Sequence, residues 1–575
     1  MLLMVRVILL APLLSSISLL AQNQRSASHP SFNYQEASPH EIAPHRRTIP
    51  TDGVRLGFNQ LRLTLTVSPT GDVISANADG EAELLKLWPR LQNEVYQWKF
   101  TPFEKNGKPV TAEVEEYIDL VPPERRPKVH VPPPALKPDS KIAITLQRSG
   151  CFGSCPSYSV TISTEGIVFD GRSSVVANGT HTDKIDRDNI RALAKKIIAS
   201  DFYSMDPEYA ASVTDMPSFS LSITIDGHSR QVTDYVGQWV GMPAVINELE
   251  DEVDVLARTK RWIEGADGLV EVLRAEKFNF QTFEAQTMLE AAAGNGQTAT
   301  VRQLLEAGVP LKPLPAPKAK KAYSSIPFEH VGWLNAASSH PETLQVFIDA
   351  SASKDDQQDK DLALAGAANT GNLQAVQASI AYGANPNADL GKLIIAQTSG
   401  GMTMESQGAG SVLIYAAKSG KPDVVREILK YNPRIEAKDR EGKTALFAAG
   451  EFRTGDEDGE RVECVSLLAK AGANVNARDN NGNTPLHETF LTDVEEELLK
   501  LGANVNARNQ EGETPIFTTV DNDAIPLFLK YGADLSIRNN QGKTILEAAA
   551  NKGPTFTEAL RKAMENRDKQ QRTAH

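Results

Sequence analysis

The sequence predicts a multidomain protein in which two small α+β modules are followed by an all-α solenoid. Three observations predict this: a phrase that returns every thirty residues near the C-terminus, two N-terminal regions where apolar and polar residues alternate, and a Pro-rich stretch between those regions. Alternation with a period of two is typical of half-buried strands, whereas a long fixed period is typical of stacked repeats. The two parts of the chain are therefore expected to differ in structural class.

Composition limits the partners and the chemistry. The 575 residues carry a formal net charge of -13, which opposes the phosphate backbone of nucleic acid. We therefore expect no nucleic-acid partner. The three cysteines, Cys151, Cys155 and Cys464, are too few for a scaffold built on disulfides.

Residues 1–21 have the features of an export signal. Arg6 precedes an apolar run from Val7 to Leu20, which is shorter than the roughly 20 residues needed to span a bilayer. We expect cleavage near Ala21 and hence a periplasmic or secreted protein. Signal cleavage usually requires a small residue at the −3 position, and Leu19, which would occupy it, is larger. An uncleaved N-terminal anchor in the inner membrane is therefore the alternative.

The first predicted module occupies residues 56–122, after a polar stretch at residues 22–55 that predicts a disordered linker. Residues 61–67 alternate as a half-buried strand does, residues 69–72 supply a turn into a second strand, and helical spacing of apolar residues follows. A last strand is expected after Asn106-Gly107. The predicted order is strand, strand, helix, strand.

Two motifs in this module, Trp98-Lys99-Phe100-Thr101-Pro102 and Asn106-Gly107-Lys108-Pro109-Val110, resemble the C-terminal domain of the TonB energy-transducer family. The resemblance implies a ββαβ fold, an envelope location and contact with an outer-membrane receptor through strand addition. The chain departs from a transducer because the module is not C-terminal and no long Pro-rich spacer precedes it. A module retained for protein contact or stability is the competing interpretation.

A Pro-rich linker at residues 123–140 is expected to be extended and semi-rigid, and it leads into a second α+β module at residues 141–262. Alternation predicts strands around residues 142–146 and 221–225, and apolar spacing predicts one helix that begins after Asp186 or Asp188 and another near Val245. The phrase Gly150-Cys151-Phe152-Gly153-Ser154-Cys155-Pro156, with residues 214–217 downstream, resembles a family of uncharacterised exported domains. That resemblance implies no known activity.

Cys151 and Cys155 are the candidates for chemistry in this module. A structural disulfide across a tight loop fits an oxidising compartment. A redox-active or metal-binding thiol pair is the alternative. Their spacing differs from Cys-x-x-Cys, and the sequence supplies neither a second ligand pair at zinc spacing nor an adjacent basic residue. We therefore predict a disulfide.

The repeated phrases lie in residues 270–565. Gly472-Ala473-Asn474 returns at residues 502–504 and, as Gly-Ala-Asp, at 532–534, while Thr484-Pro485-Leu486-His487 is echoed at 514–517. These phrases resemble ankyrin repeats, which implies stacked helix pairs that bind proteins and a structural role for His487. The period of thirty instead of 33 implies trimmed first helices or intervening turns. Residues 566–575 are expected to form a polar tail.

The sequence predicts a non-catalytic protein, because it contains no phosphate-binding loop, nucleophile elbow or zinc-helix motif. No catalytic residue, metal site or cofactor is predicted. We expect the array to hold a protein partner in the bacterial envelope. Candidate contact residues lie at the turn tips of three repeats: Arg478, Asp479, Asn480, Asn481, Arg508, Asn509, Gln510, Glu511, Arg538, Asn539, Asn540 and Gln541.

Two other functions stay open at this point. The first is a transport accessory that engages an outer-membrane receptor through the TonB-like module. The second is a thiol-redox enzyme that uses Cys151 and Cys155.

Overall fold

The computed structural model describes residues 31–32, 48–50, 59–105, 108–151, 155–315, 332–390, 394–399, 402–407, 410–451, 458–519, 524–549 and 554–573. The signal predicted for residues 1–21 lies outside them. The chain divides into two compact units, the first comprising residues 1–155, 159–168 and 184–257 and the second residues 156–158, 169–183 and 258–575. In the described ranges, no helix has both the length and the apolarity to cross a membrane.

The N-terminal part of the first unit is a sheet with two short helices. In chain order its main elements are β3 (Gln60–Val67), β4 (Val73–Asp79), α1 (Ala82–Leu85), α2 (Trp88–Val95) and β7 (Ala112–Val121). β3 lies between β4 and β7 and pairs antiparallel with both. Leu61, Leu63 and Leu65 are fully buried, as their alternation predicts.

Two short strands in the N-terminal stretch join this sheet. β1 (Ser31–Phe32) and β2 (Thr48–Pro50) both pair parallel with β7. The sequence predicts a disordered linker here, and the pairing arises from β7, a tertiary partner that local composition does not reveal. A separate hairpin is formed by β5 (Phe103–Lys105) and β6 (Lys108–Val110).

The Pro-rich segment is bound along the first unit. The Arg125 N–H donates to the Gly241 carbonyl at 2.7 Å, and the Val131 N–H donates to Ser204 Oγ at 2.8 Å. Farther on, Arg191 donates to the Lys137 carbonyl at 2.8 Å. These bonds fix the course of an extended backbone whose prolines cannot donate.

The rest of the first unit is α+β. Its strands lie side by side in the order β9-β8-β13-β14-β12, and this part of the chain also contains two helices. The elements are β8 (Ile142–Arg148), β9 (Ser157–Ser163), α3 (Arg187–Ala199), β12 (Glu208–Ala210), β13 (Phe219–Ile225), β14 (His228–Tyr235) and α4 (Val245–Ala257). β9 and β10 (Gly166–Ser173) each have residues in both units, and β11 (Gly179–Asp183) belongs to the second unit.

The second unit consists mainly of helix pairs. After α5 (Lys260–Ile263) and α6 (Leu269–Ala275), its first helices are α7 (Phe283–Gly294), α9 (Trp333–Ala336), α11 (Gln357–Asn369), α13 (Val412–Lys418), α15 (Ala445–Ala449), α17 (Pro485–Glu488), α19 (Pro515–Thr518) and α21 (Ile545–Ala548). The second helices are α8 (Thr298–Glu306), α10 (Pro341–Asp349), α12 (Leu373–Ala381), α14 (Pro422–Leu429), α16 (Asp458–Lys470), α18 (Thr492–Lys500), α20 (Ala524–Lys530) and α22 (Pro554–Thr573).

These helices form two layers in which each first helix packs on the next first helix and each second helix on the next second helix. Buried alanines such as Ala416 and Ala417 allow the first helices to approach closely. A hairpin, β15 (Ile394–Ser399) with β16 (Met402–Gln407), interrupts the series before α13. α22 continues to Thr573, through the stretch for which the sequence predicts a polar tail.

Candidate functional site

The twelve predicted contact residues lie in three turns that precede α17, α19 and α21. Asp479, Asn509 and Asn539 are the buried or half-buried members. The Asp479 Oδ1 atom accepts from the backbone N–H groups of Asn481 and Asn483 at 2.8 Å each. The side-chain oxygens of Asn509 and Asn539 accept from the backbone four residues later. The side chains of these three residues stabilise the turns and are not available as candidate contacts for a partner.

An amide ladder connects the turns. Asn480 Nδ2 donates to the Arg440 carbonyl at 2.9 Å, and Gln510 Nε2 donates to the Asn480 carbonyl at 2.8 Å. Asn540 Nδ2 then donates to the Gln510 carbonyl at 2.7 Å. These amides form hydrogen bonds from each turn to the preceding one, so their main role is to stabilise the stacking of the repeats.

The three arginines form a second ladder in the opposite direction. Arg478 Nη1 donates to the Arg508 carbonyl at 2.6 Å, and Arg508 Nη2 donates to the Arg538 carbonyl at 2.9 Å. Arg538 instead forms an ion pair with Glu547 at 2.9 Å. Although these arginines are exposed, their guanidinium groups are engaged within the array.

Asn481, Glu511 and Gln541 are different, and we call them the tip row. All three are exposed. Their side chains make no hydrogen bond or ion pair with the part of the chain that the structure describes. Their positions are nevertheless fixed, because the Asn481 carbonyl accepts from the Gln510 N–H at 2.9 Å and the Glu511 carbonyl from the Asn540 N–H at 2.8 Å. The tip row therefore presents unbonded polar side chains on an ordered backbone.

His487 closes the start of α17. Its Nδ1 atom lies 3.1 Å from the Thr484 backbone nitrogen and 2.8 Å from Thr484 Oγ1. Its Nε2 atom lies 3.1 Å from the Glu513 carbonyl oxygen of the next repeat. Burial lowers the His487 pKa to about 4, which keeps the ring neutral. A neutral ring with hydrogen on Nε2 satisfies all three contacts.

Cys151 and Cys155 are joined by a disulfide, with their Cα atoms 5.4 Å apart. Both residues are half-buried, and residues 152–154 lie outside the described residues. Both cysteines lie in the connection between β8, which ends at Arg148, and β9, which begins at Ser157. Nearby, the Ser149 N–H donates to the Ser218 carbonyl at 2.9 Å, and the Ser218 N–H donates to Ser149 Oγ at 2.9 Å. The cysteines are thus held in the oxidised form at one end of the strands.

The sequence did not predict a buried pair of carboxyl groups in the first unit. Asp234 at the end of β14 and Glu250 on α4 are 4% and 2% exposed. Asn247 Nδ2 donates to Asp234 Oδ2 at 3.2 Å and to Glu250 Oε2 at 3.4 Å. Burial and the neighbouring Asp234 charge raise the Glu250 pKa to about 8. The one sequence signal is that Glu250 lies on the buried face of α4, four residues after Ile246.

Family models match two regions of the chain. Residues 413–493 match the model described as "Ankyrin repeats (3 copies)", and residues 481–510 match "Ankyrin repeat". The helix pairs there are ankyrin repeats. Residues 142–257 match "Domain of unknown function (DUF6438)". Ankyrin repeats suggest a protein-binding role, which agrees with the ordered, solvent-facing tip row.

A similar curated protein is diacylglycerol kinase iota from the mouse, Mus musculus. The two sequences are 38% identical over 101 residues, which are 17% of this chain and 9% of the kinase. The chain thus matches less than a tenth of the length of that relative. The similarity concerns a segment and carries no catalytic assignment to this chain.

Proposed function

We propose that the chain is an exported, non-catalytic binding protein of the bacterial envelope, in which the ankyrin array holds a protein partner along the tip row. The tip row carries this proposal. Asn481, Glu511 and Gln541 are exposed and unbonded in the described structure, while neighbouring turn residues bond the repeats together. Such preorganised side chains lose little backbone entropy on contact with a partner.

Site-specific crosslinking in the full chain tests this assignment. A photoreactive residue at Asn481, Glu511 or Gln541 is expected to crosslink one and the same protein, identified by mass spectrometry. Lys470 is the matched control, because it is exposed on α16, a second helix. Equal crosslinking from Lys470 and the tip row, or none from the tip row, would contradict the proposal.

Export rests on the sequence of residues 1–21 and is supported by the Cys151–Cys155 bond, since disulfides persist mainly in oxidising compartments. N-terminal sequencing of the mature protein tests it directly. A new N-terminus near Gln22 is expected. An intact Met1 on a membrane-bound chain would support the anchored alternative, and an intact chain in the cytoplasm would contradict export.

A transport accessory is the second candidate function. It is favoured by the observed order β3, β4, α2, β7, which agrees with the element order implied by the TonB resemblance. Deletion of residues 56–122 would then abolish receptor-dependent uptake while the ankyrin array still binds its partner. Unchanged uptake would remove this candidate and leave the array proposal unaffected.

A further inference from the structure

Residues 126–130 form a loop on the first unit that is anchored at both ends. Before the loop, the Arg125 N–H donates to the Gly241 carbonyl at 2.7 Å. After the loop, the Val131 N–H donates to Ser204 Oγ at 2.8 Å. All five residues between these anchors are exposed. The loop is therefore open to its surroundings along its whole length, while its two ends fix its place on the unit.

Cationic and apolar side chains alternate along this loop. The chain bends at Lys128 and Val129. Val129 is 70% exposed, and Val131, just after the loop, is 41% exposed. The side chains of Arg126 and Lys128 make no hydrogen bond or ion pair with the described residues. The bend thus combines two cations that the protein does not neutralise with an apolar side chain that the protein does not cover.

The loop lies in a basic stretch of an acidic chain. Residues 122–138 contain four cationic residues and one carboxylate, Glu124, whereas the whole chain has a formal net charge of -13. The Glu124 Oε1 atom accepts from the Ala244 N–H at 2.9 Å, so this carboxylate is held by the backbone of the unit. The stretch therefore presents a local positive charge, which attracts an anionic partner although the protein as a whole repels one.

We infer that residues 126–130 are a docking site for an anionic membrane surface. Each Lys or Arg near such a surface strengthens binding roughly fivefold, and an apolar side chain between them enters the boundary between headgroups and acyl chains. Recognition of individual carboxylates instead favours guanidinium groups held in a fixed geometry. Two exposed cations without protein partners fit a diffuse layer of headgroup charge better. The inference goes beyond the proposed function and does not depend on the tip row.

Docking through so few groups is weak and depends on salt. Two cations and an exposed valine attach a protein far less firmly than a membrane-spanning helix does. The Debye length falls from about 10 Å at 0.1 M salt to about 3 Å at 1 M, so the cations lose most of their attraction when salt is raised. We therefore expect the loop to retain or orient a chain that is already near a membrane, and to release the surface at high salt.

An environment-sensitive fluorophore on Val129→Cys tests the inference in the full chain. Val255→Cys is the matched control, since Val255 is 76% exposed but lies beside Asp254 on α4. Cys464 is buried and the other two cysteines are bonded to each other, so the label is selective. With vesicles of phosphatidylcholine and phosphatidylglycerol, we expect a blue shift at position 129 that is absent at position 255 and with phosphatidylcholine alone. Equal shifts at both positions, or none at position 129, would overturn the inference.

Charge removal then distinguishes a lipid surface from an acidic protein. Arg126→Gln with Lys128→Gln should weaken binding to the phosphatidylglycerol vesicles at least tenfold, measured by vesicle titration of the label at position 129. Arg187→Gln with Lys195→Gln removes the same charge from exposed positions of α3 and should leave the affinity unchanged. Equal affinities of the two double variants would contradict the inference. A polyglutamate peptide that binds the loop as tightly as the vesicles do would identify an acidic polypeptide as the partner and would also overturn it.

Discussion

At the residue scale, the hydrogen bonds of His487 explain why a histidine stands at the end of the phrase Thr484-Pro485-Leu486-His487, which the repeat pattern alone does not explain. Its ring accepts from Thr484 and reaches the Glu513 carbonyl, so it links the start of one helix to the next repeat. Phe447 and Phe517 stand at the same place in neighbouring repeats. There the Oγ1 atoms of Thr444 and Thr514 are buried without a hydrogen-bond partner in the described structure. The histidine therefore satisfies a polar group that phenylalanine leaves unsatisfied.

The first prediction concerns acid stability. His487→Phe is expected to lower the free energy of unfolding by about 1–3 kcal/mol at pH 7, because Thr484 loses its buried acceptor. The His487 pKa is depressed from 6.5 to about 4, so its contribution is present above 6.5 and is lost as the pH falls toward 4. Urea unfolding between pH 4 and 7 should show a shallower pH dependence in this variant.

A matched control for this prediction is Phe517→Leu, which changes a buried ring in the next repeat without removing a titrating group. It should keep the wild-type pH dependence. An unchanged slope in His487→Phe would show that the ring does not control acid stability.

The second prediction concerns the buried Glu250. Its pKa is raised from 4.5 to about 8, so the folded state retains a proton that the unfolded state releases. The contribution of Glu250 to stability is therefore complete below pH 4.5 and declines as the pH rises toward 8. Glu250→Gln should unfold with a free energy about 1–3 kcal/mol higher than wild type at pH 9 and a similar one at pH 5.

Chemical denaturation at pH 5, 7 and 9 measures this difference. The control is Glu248→Gln, since Glu248 lies on the same helix but is exposed. If Glu250→Gln and Glu248→Gln have the same pH profile, the carboxyl pair does not govern alkaline stability.

At the element scale, the short first helices of the repeats depend on groups outside themselves. The α15 helix is only five residues long, so most of its C-terminal carbonyl groups lack partners within the helix. Arg461, which is fully buried on α16, donates to the Ala449 carbonyl at 3.1 Å and to the Lys418 carbonyl of α13 at 3.3 Å. One side chain thus ends two successive first helices.

Arg461→Met gives the third prediction. Methionine retains apolar volume but donates nothing, and each buried carbonyl left without a donor costs about 1–3 kcal/mol. We expect a loss of this order or larger in the free energy of urea unfolding. Arg426→Met is the control, because Arg426 is exposed and pairs with Asp423 and Glu463 at the surface. A change of less than about 0.5 kcal/mol in Arg461→Met would contradict the assigned role.

Sequence periodicity anticipated the elements that carry their own pattern. Alternation in residues 61–67 predicted β3, and Pro89 lies in the first turn of α2, where a missing N–H costs no hydrogen bond within the helix. The trimmed α17 and α19, four residues each, agree with the thirty-residue period. β1 and β2 were not predictable because two or three residues show no period, and their strand conformation depends on β7.

The candidate site was predicted only in part, for a similar reason. Turn chemistry placed the twelve residues at tips, and the repeated phrases located the turns. Which side chains form hydrogen bonds to a neighbouring repeat depends on the distance between adjacent turns. The sequence of a single repeat does not determine that distance. The amide and arginine ladders therefore appear only in three dimensions, and they leave the tip row as the candidate contact surface.

At the scale of the whole molecule, each repeat of the array interacts only with its two neighbours. The turn surface therefore contains both residues that stabilise these contacts between repeats and residues that we propose for recognition. Asn506 Nδ2 donates to the Gly532 carbonyl at 3.0 Å, and its Oδ1 accepts from the Asp534 N–H at 2.8 Å. Both bonds cross one boundary between repeats. In a repeat array, stability is approximately the sum of such boundary terms and those of the repeats themselves.

The fourth prediction separates these two classes of residue. Asn506→Ala should cost about 1–3 kcal/mol at its boundary and make residues 524–549 exchange hydrogen at lower urea than the preceding repeats. The triple tip variant, with alanine at Asn481, Glu511 and Gln541, should stay within about 0.5 kcal/mol of wild type and lose the partner. Urea titration with hydrogen-exchange mass spectrometry measures the first effect, and binding of the crosslinked partner measures the second. A destabilised triple variant would mean that the tip row also serves the stack, and the division between recognition and stability would then fail.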